Sequence, residues 1–318
     1  MTNKEKYREF CKEEKNIPIF SKDWWLDCVC GEKNWDVALV EKGGQVVASM
    51  PFFLTNRFIF SIVTMPKLTQ NMGPFIKYPS GQYYYKKLSW EKEIIELLIN
   101  QIPKFDYFIQ NFNYKLDNWL PFYWKGFQQS TKYTYIIENK RYNDIEKELF
   151  NESRRRRIKK ARKQDIEIFE SNDIRLFYKL NMKTFIRQGI KIPYSFNYVE
   201  KLYKTCSINN AVKILFAKYN EEIVATSFLV FDDKTVYYLM GGIEPSKSNL
   251  GAMDLIHFES IKFAMENNYD FDFEGSMIEN IEHYFRSFGS IQKPYFQITK
   301  IKSKILKLRN FINELKND

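Results

Sequence analysis

The chain has 318 residues, and a composition of 44% hydrophobic, 17% aromatic and 28% charged residues is that of a folded globular protein, not of a disordered or fibrous one. Lys and Arg exceed Asp and Glu by 49 to 39, and a net charge of +10 favours anionic partners such as RNA, nucleotides, phosphorylated carriers or a membrane surface. The first residues are too charged for a signal peptide, and the most apolar stretch is interrupted at Asn56 and Arg57. We therefore expect a cytoplasmic protein, with membrane association left open.

Cysteine and histidine are too sparse to form a metal site. The four cysteines, Cys11, Cys28, Cys30 and Cys206, follow neither a disulfide framework nor a paired zinc-ligand spacing, and the chain has 2 His. We expect reduced thiols and no bound metal.

The first half of the chain is predicted to form β-hairpins followed by a helix and a strand. Gly43-Gly44 and a turn near Asn56 separate apolar runs of strand length, and apolar residues then recur at helical spacing. The predicted elements are strands at 36–41, 45–54 and 58–65, a helix at 90–101 and a strand at 105–110.

The second half contains a clearer alternation of helices and strands. A three-stranded meander is broken at Gly241-Gly242, after which a helix, a strand and a short helix follow. The predicted elements are a helix from 144, a strand at 166–169, helices at 173–187 and 196–204, strands at 211–219, 223–231 and 235–240, a helix at 250–267, a strand at 269–273, a helix at 279–288 and a strand at 295–299. We predict two domains, residues 1–142 and 143–318.

The end of the chain has the pattern of a basic amphipathic helix. Ile301, Ile305, Leu308, Ile312 and Leu315 follow alternating four- and three-residue spacing, with Lys and Arg between them. Such a helix either packs against its own domain, which this pattern favours, or makes a peripheral membrane contact.

Two adjacent segments resemble a known family. Residues 270–276 (DFDFEGS) and 280–289 (NIEHYFRSFG) are similar to the final strand and helix of FemAB-like and related GNAT-type transferases, and the similarity extends over about 140–300. The resemblance implies an α/β (α+β) protein of two tandem GNAT-like domains, each a mostly antiparallel central sheet flanked by helices. It also implies an acyl- or aminoacyltransferase that forms an amide on an amine acceptor, such as a cell-envelope peptide or an amino sugar.

The resemblance leaves the acyl donor open. GNAT enzymes bind the pyrophosphate of CoA at a helix N-terminus, and at residues 248–253 this chain keeps only Gly251 of that pattern. Phe285 stands where many GNAT enzymes have the tyrosine that protonates the leaving thiolate, while Phe285 and Arg286 resemble the aromatic-cation pair that meets the acylated tRNA end in Fem-type enzymes. The co-substrate is therefore acyl-CoA or aminoacyl-tRNA, with no tightly bound cofactor, and an acyl-CoA-dependent GNAT N-acyltransferase is the alternative.

Two carboxylates are candidates for the proton transfer that amide formation needs. Glu274 follows a hydrophobic strand, and Asp272 lies two residues earlier, on the same strand face. We predict Glu274 as the general base with Asp272 in support; capping the next helix, or pairing with Arg286, is the competing interpretation. Tyr238, Gly241 and Gly242 are predicted to line the acyl groove.

A basic run precedes these elements. Residues 154–163 contain eight cations, and like charges four residues apart repel, so a helix here is disfavoured unless an anion binds. We predict an anion-binding face for tRNA or another phosphorylated partner, formed by Arg154, Arg155, Arg156, Arg157, Lys159 and Lys160. A solvated helix face is the alternative, and a non-catalytic RNA-binding module is the rival function.

His257 lies three residues after Asp254 on a mostly apolar predicted helix. The two side chains could form a hydrogen-bonded pair that moves protons, but a histidine satisfied within the core is the favoured interpretation for His257 and for His283.

Overall fold

The computed structural model describes residues 1–308. Contacts divide the chain into two compact units, residues 1–132 together with the described residues from Pro294 onward, and residues 133–293. This division differs from the predicted domains 1–142 and 143–318, because the end of the chain returns to the first unit.

The first unit is a sheet packed with helices. Its elements are α1 (Asn3–Glu13), α2 (Asp23–Cys30), β1 (Trp35–Lys42), β2 (Gln45–Arg57), β3 (Phe60–Thr64), β4 (Phe75–Ile76), α3 (Tyr84–Asn100), β5 (Tyr107–Asn111) and α4 (Leu120–Trp124). Strand β6 (Gln128–Ile137) then leads into the second unit.

The remaining elements follow β6 in chain order. They are α5 (Ile145–Leu149), α6 (Glu152–Lys163), β7 (Glu167–Glu170), α7 (Ile174–Arg187), α8 (Phe196–Ile208), β8 (Val212–Tyr219), β9 (Glu222–Phe231), β10 (Thr235–Ile243), α9 (Ala252–Glu266), β11 (Asp270–Asp272), α10 (Glu279–Arg286) and β12 (Ile291–Ile301).

Strand pairing in the first unit follows the order β1, β2, β3, β5, and the second half of β12. Gly43 and Gly44 have positive φ in the β1–β2 turn, as a tight hairpin needs. β3 runs parallel to β5, while β1–β2, β2–β3 and β5–β12 are antiparallel. Ile94, Ile95 and Leu98 of α3 are fully buried in the core of this unit.

In the second unit the order is β6, β11, β10, β9, β8, β7. The meander from β7 to β10 is antiparallel, and the β10–β11 pair is parallel because α9 connects the two strands. Ile256, Ile261 and Ala264 of α9 are fully buried against this sheet. Each unit is thus a mostly antiparallel sheet flanked by helices, which confirms the predicted fold class.

Several predicted elements differ in detail. The helix predicted from residue 144 is two helices, because Phe150 is buried between them and Asn151 begins α6 by accepting a hydrogen bond from the Arg154 amide (2.9 Å). Ile301, predicted in the terminal helix, ends β12, and residues 304–308 are helical. Ile312 and Leu315 lie outside the described residues.

All four cysteines are buried thiols. Cys11, Cys28 and Cys30 belong to the first unit and Cys206 to the second. Burial raises the pKa of Cys11 and of Cys30 to about 12. Within residues 1–308, no helix is long and apolar enough to cross a membrane, and His, Cys, Asp and Glu form no metal-binding group.

Candidate active site

The second unit contains a point where two parallel strands stop pairing. β10 and β11 pair from Thr235 and Asp270 as far as Tyr237 and Asp272, where β11 ends. β10 continues to Ile243, and its register with β9 shifts just after Tyr238. A shift of this kind bends a strand and redirects side chains next to it. Residues just beyond the end of β11 are therefore where a site could form.

Glu274 lies immediately beyond this point in an unusual backbone conformation. Its φ is 61°, and that of Gly275 is 72°. Both carboxylate oxygens of Glu274 are buried. Glycine adopts the left-handed region without strain, but a residue with a side chain does so only where the surrounding structure fixes it. Glu274 is therefore held in place by the fold, as the predicted base would have to be.

Asp272 holds this turn in its conformation. Its Oδ1 accepts a hydrogen bond from the Glu274 amide (2.7 Å) and another from the Thr134 hydroxyl of β6. Asp272 is itself buried. Its predicted support for Glu274 thus has a concrete form: Asp272 positions the backbone of Glu274.

Four aromatic rings pack beside this turn. Phe273 stacks on Phe285 with ring centroids 4.7 Å apart, and Tyr238 contacts Phe285 at 6.4 Å. His257 lies 4.6 Å from Tyr238 and 5.4 Å from Phe273, edge to face. Burial raises the pKa of the Tyr238 hydroxyl above its usual range. Tyr238 and Phe285, both predicted to contact the donor, are therefore brought together, but within the packed interior of the unit.

The predicted pair of Phe285 and Arg286 does not form one surface. Phe285 is buried, whereas Arg286 is exposed and forms an ion pair with Glu282 at 2.8 Å. Adjacent residues on a helix point in different directions, which separates the ring from the guanidinium. This geometry corrects the expectation that the two meet the donor as a pair, because Arg286 pairs instead with Glu282 within α10.

His257 is fully buried, and its Nδ1 lies 3.1 Å from the Tyr284 hydroxyl. Asp254 does not contact the imidazole; it pairs with two arginines of α6. The favoured interpretation, a histidine within the core, is thus confirmed for His257 and wrong for His283, which is exposed.

Helix α6 packs its basic run against the start of α9. Asp254 forms ion pairs with Arg154 and with Arg157 (2.8 Å to Nε), and its side chain is 1% exposed. The Arg154 guanidinium also lies over the Tyr284 ring, 4.2 Å from its centroid, and donates to the Ser287 hydroxyl. A carboxylate of the protein therefore offsets part of the positive charge of these two arginines.

Gly251 is required where α6 crosses the start of α9. Its φ is 82°, and an added Cβ would lie 2.7 Å from the Arg157 carbonyl oxygen. Gly251 and Ala252 are buried. The glycine that resembles the CoA-binding pattern is thus explained by close packing of two helices, and the beginning of α9 is covered.

The remaining predicted glycines also serve packing. An added Cβ at Gly241 would collide with the Tyr238 hydroxyl, and one at Gly242 would collide with the backbone of Leu180 and Asn181 in α7. The Gly241 carbonyl accepts a hydrogen bond from Asn181 (2.6 Å). These contacts fix the bend of β10 beside the ring cluster.

The outward cations of α6 form a second group. Arg156, Lys159 and Lys160 are exposed, and Arg155 is half-buried. Arg156 forms a long ion pair with Glu152 (3.8 Å), and Lys160 donates to the Asn249 carbonyl. The predicted anion-binding residues therefore divide into two arginines that pair with Asp254, of which Arg154 is buried and Arg157 is half-buried, and a set without a contact to Asp254.

Sequence reasoning missed three residues that shape this site. Asp254 was assigned to His257, and neither Tyr284 nor Thr134 was given a role. Thr134 lies 138 positions before Asp272, so no local pattern could connect them.

Comparisons with known proteins agree with this architecture. Residues 150–286 match the family model described as "Acetyltransferase (GNAT) domain". The structure of FemX aligns with a TM-score of 0.68 and 13% identity, over 93% of this chain and 96% of FemX. L-PGS from Bacillus licheniformis aligns with a TM-score of 0.55 and 11% identity, over 98% and 96% of the two chains.

A tandem GNAT protein from the clavulanic acid biosynthesis pathway aligns with a TM-score of 0.52 and 7% identity, over 95% of both chains. At these identities the likeness concerns the fold. No curated protein sequence matches the chain.

Proposed function

We propose that this chain, which matches the GNAT domain model at residues 150–286 and has the fold of FemX, is a FemAB-like transferase that moves an acyl or aminoacyl group to an amine acceptor and so forms an amide. The observation that carries the proposal is the conformation of Glu274. Backbone strain in a non-glycine residue concentrates at functional sites, and here it fixes a carboxylate where β11 leaves β10.

The reaction needs a base and a leaving group. Glu274 takes a proton from the acceptor nitrogen, whose lone pair attacks the carbonyl carbon of the donor and forms the C–N bond. The tetrahedral intermediate then collapses: the bond from carbon to the donor oxygen or sulfur breaks, and the leaving group takes up the proton that Glu274 accepted, which restores the carboxylate. Asp272 acts as a positioning residue, because its carboxylate holds the Glu274 amide.

The arrangement of α6 and α9 favours aminoacyl-tRNA over acyl-CoA as the donor. A pyrophosphate held at the start of α9 would need open backbone amides, but Gly251 and Ala252 are buried and Asp254 already binds the adjacent arginines. The outward cations of α6 remain available to phosphates spaced along a nucleic acid. The acceptor we propose is an amine of a cell-envelope peptide or an amino sugar, as the FemAB-like resemblance implies.

An acyl-CoA donor is the second candidate. It is favoured by the start of α9, where Gly251 has a left-handed conformation and no side chain caps the helix. The two donors are distinguished by direct assay with radiolabelled charged tRNA and radiolabelled acetyl-CoA, each offered with a panel of lysine-containing peptides and amino sugars.

Replacing Glu274 tests the mechanism with either donor. We expect Glu274→Gln to lower the rate of amide formation by about two to four powers of ten, because it removes the base. The matched control is Glu279→Gln, an exposed glutamate on α10, which should transfer at the wild-type rate. Thermal unfolding of both variants separates lost chemistry from lost folding.

Two results would contradict the proposal. Unchanged turnover in Glu274→Gln would remove this residue from the mechanism. Salt-dependent RNA binding by wild-type protein that transfers from neither donor to any acceptor would support the non-catalytic RNA-binding module.

A further inference from the structure

The hairpin between β2 and β3 ends in two exposed apolar side chains. Phe58 is 90% exposed and Ile59 is 82% exposed. They form the two-residue loop between Arg57 and Phe60, which pair across the hairpin. Loops of this length are ordinarily built from Gly, Asn or Asp, so an apolar pair here is unusual.

The backbone of this loop does not favour its sequence. Phe58 has a φ of 56°, at the loop position where glycine is preferred because it has no Cβ. A bulky aromatic residue in this region is a genuine outlier. Phe58 therefore adds strain to the turn and exposes its ring to water, and neither effect stabilises the unit by itself.

Other segments emerge at the same end of this sheet. Ile62 of β3 pairs with Tyr107 of β5 in parallel, and Ile301 of β12 pairs with the same Tyr107 in antiparallel fashion. The start of β3, the start of β5 and the end of β12 thus lie side by side. Two backbone hydrogen bonds tie the ends together, Asp106 N–H to the Ser61 carbonyl and Lys302 N–H to the Asp106 carbonyl, both 2.8 Å.

Exposed cations surround this end of the unit. We call them the basic rim: Arg57, Lys104, Lys302, Lys304 and Lys307. All five are exposed, and none forms an ion pair with another residue in the range 1–308. Burial, followed by the positive charges of Lys302 and Lys307, lowers the pKa of neighbouring Lys300. Ile305 and Leu308, 63% and 61% exposed, lie among them.

We propose that this end of the first unit docks on an anionic membrane surface, with Phe58 and Ile59 inserted between lipid headgroups and the basic rim against lipid phosphates. The apolar residues sit at the tip of a hairpin, a convex shape that suits a bilayer interface, where aromatic and aliphatic side chains can enter while adjacent cations stay at the headgroups. The excess of positive charge selects an anionic lipid. This inference does not depend on the transferase reaction.

Vesicle flotation of the full chain tests the proposal. We expect the protein to float with vesicles of phosphatidylcholine containing phosphatidylglycerol, and to remain at the bottom with phosphatidylcholine alone or at high salt. The variant Phe58→Gly with Ile59→Asn should bind the anionic vesicles about tenfold more weakly, because it removes two large apolar side chains from the interface.

The loop variant is chosen so that it should fold like wild type, and a loss of vesicle binding can then be assigned to the missing side chains. Gly followed by Asn suits a two-residue loop with positive φ at its first position, so the thermal midpoint should not fall. The matched control is Ile208→Asn, since Ile208 is equally exposed, at 82%, and belongs to the second unit. It should float like wild type.

Four outcomes would overturn the proposal. The first two are wild-type protein that stays unbound to anionic vesicles at low salt, and a loop variant that floats as well as wild type. The third is an Ile208 variant that loses binding to the same degree as the loop variant. The fourth is a loop variant in which only the oligomeric state changes, which would assign the hairpin tip to contact between two copies of the chain.

Discussion

The charge of His257 is set by its surroundings. Burial, with the nearby positive charge of Arg154, lowers the pKa of His257 to about 3. The ring packs against Tyr238, Phe273 and Phe288, and only the Tyr284 hydroxyl lies within hydrogen-bond distance among the described side chains. The imidazole is therefore neutral at physiological pH and acts as a packed polar ring.

This lowered pKa predicts a pH-dependent stability. Between the unfolded value of 6.5 and about 3, the unfolded chain binds a proton at this position that the folded chain does not. The stabilisation is complete above pH 6.5 and decreases as the pH falls, by up to about 1.4 kcal/mol per pH unit for one proton. In His257→Gln the free energy of unfolding should fall less steeply between pH 7 and pH 5.

Urea unfolding at both pH values measures this difference. The control is His283→Gln, because His283 is exposed and should leave the slope as in wild type. A His257 variant with the same pH slope as wild type would contradict a lowered pKa of His257 in the folded protein.

At the scale of single residues, the sequence indicates which residues are candidates for the site better than it indicates which residues they contact. Glu274 stands out locally, because it ends an apolar run before a glycine. Asp254 suggests His257 as its partner because the two are one helical turn apart, yet it binds Arg154 and Arg157, the latter 97 positions earlier. A local pattern carries no information on such long-range contacts.

Helix α6 has one buried face and one exposed face. Ile158 and Ala161 are fully buried, Arg154 is almost so, and these residues recur at three- and four-residue spacing along one side. Arg156, Lys159 and Lys163 lie on the other side and are exposed. Charge alone suggested one anion-binding face, whereas the structure pairs Arg154 and Arg157 with Asp254 of α9.

This division predicts separable effects of mutation. Arg156→Gln, Lys159→Gln and Lys163→Gln together should weaken binding of tRNA and reduce its dependence on salt by up to about three phosphate contacts, with folding intact. Arg154→Gln should instead lower the free energy of unfolding by about 1 to 3 kcal/mol, because Asp254 stays buried with one partner fewer.

Filter binding at several salt concentrations and urea unfolding measure the two effects. If the outward triple variant binds tRNA like wild type at every salt concentration, these cations form a solvated face, and the support for a tRNA donor falls with it.

Elements with a strong pattern were predicted well, and weakly patterned ones were missed. The strands β8 and β9 and the start of β10 alternate or are continuously apolar and are separated by polar turns, so their positions were predicted closely. The predicted break at Gly241-Gly242 is wrong, because β10 continues through both glycines to Ile243 and pairs there with β9. The helices α1 and α2 were not predicted, and neither was β6, whose first half is polar. The predicted strand 58–65 begins two residues early, because the apolar Phe58 and Ile59 form a turn.

At the scale of the whole chain, the order of elements and one local resemblance predicted the fold class. They did not predict that the chain returns to its first unit. The second half of β12 pairs with β5, and Gln297 donates a hydrogen bond to Asn111, 186 positions earlier. A sequence read from one end to the other gives no signal for such a return.

The buried cysteines allow the unfolding of each unit to be measured by alkylation. A thiol reacts as its thiolate, so a pKa near 12 at Cys11 and Cys30, together with burial of all four side chains, should slow alkylation by more than about a hundredfold relative to the denatured chain. Mass spectrometry after a brief iodoacetamide pulse measures this, and rapid native labelling of any cysteine would contradict it. As denaturant increases, modification at Cys206 marks exposure of the second unit, and modification at Cys11, Cys28 or Cys30 marks exposure of the first. The natural cysteines therefore allow the unfolding of each unit to be followed separately in one sample, without an added probe.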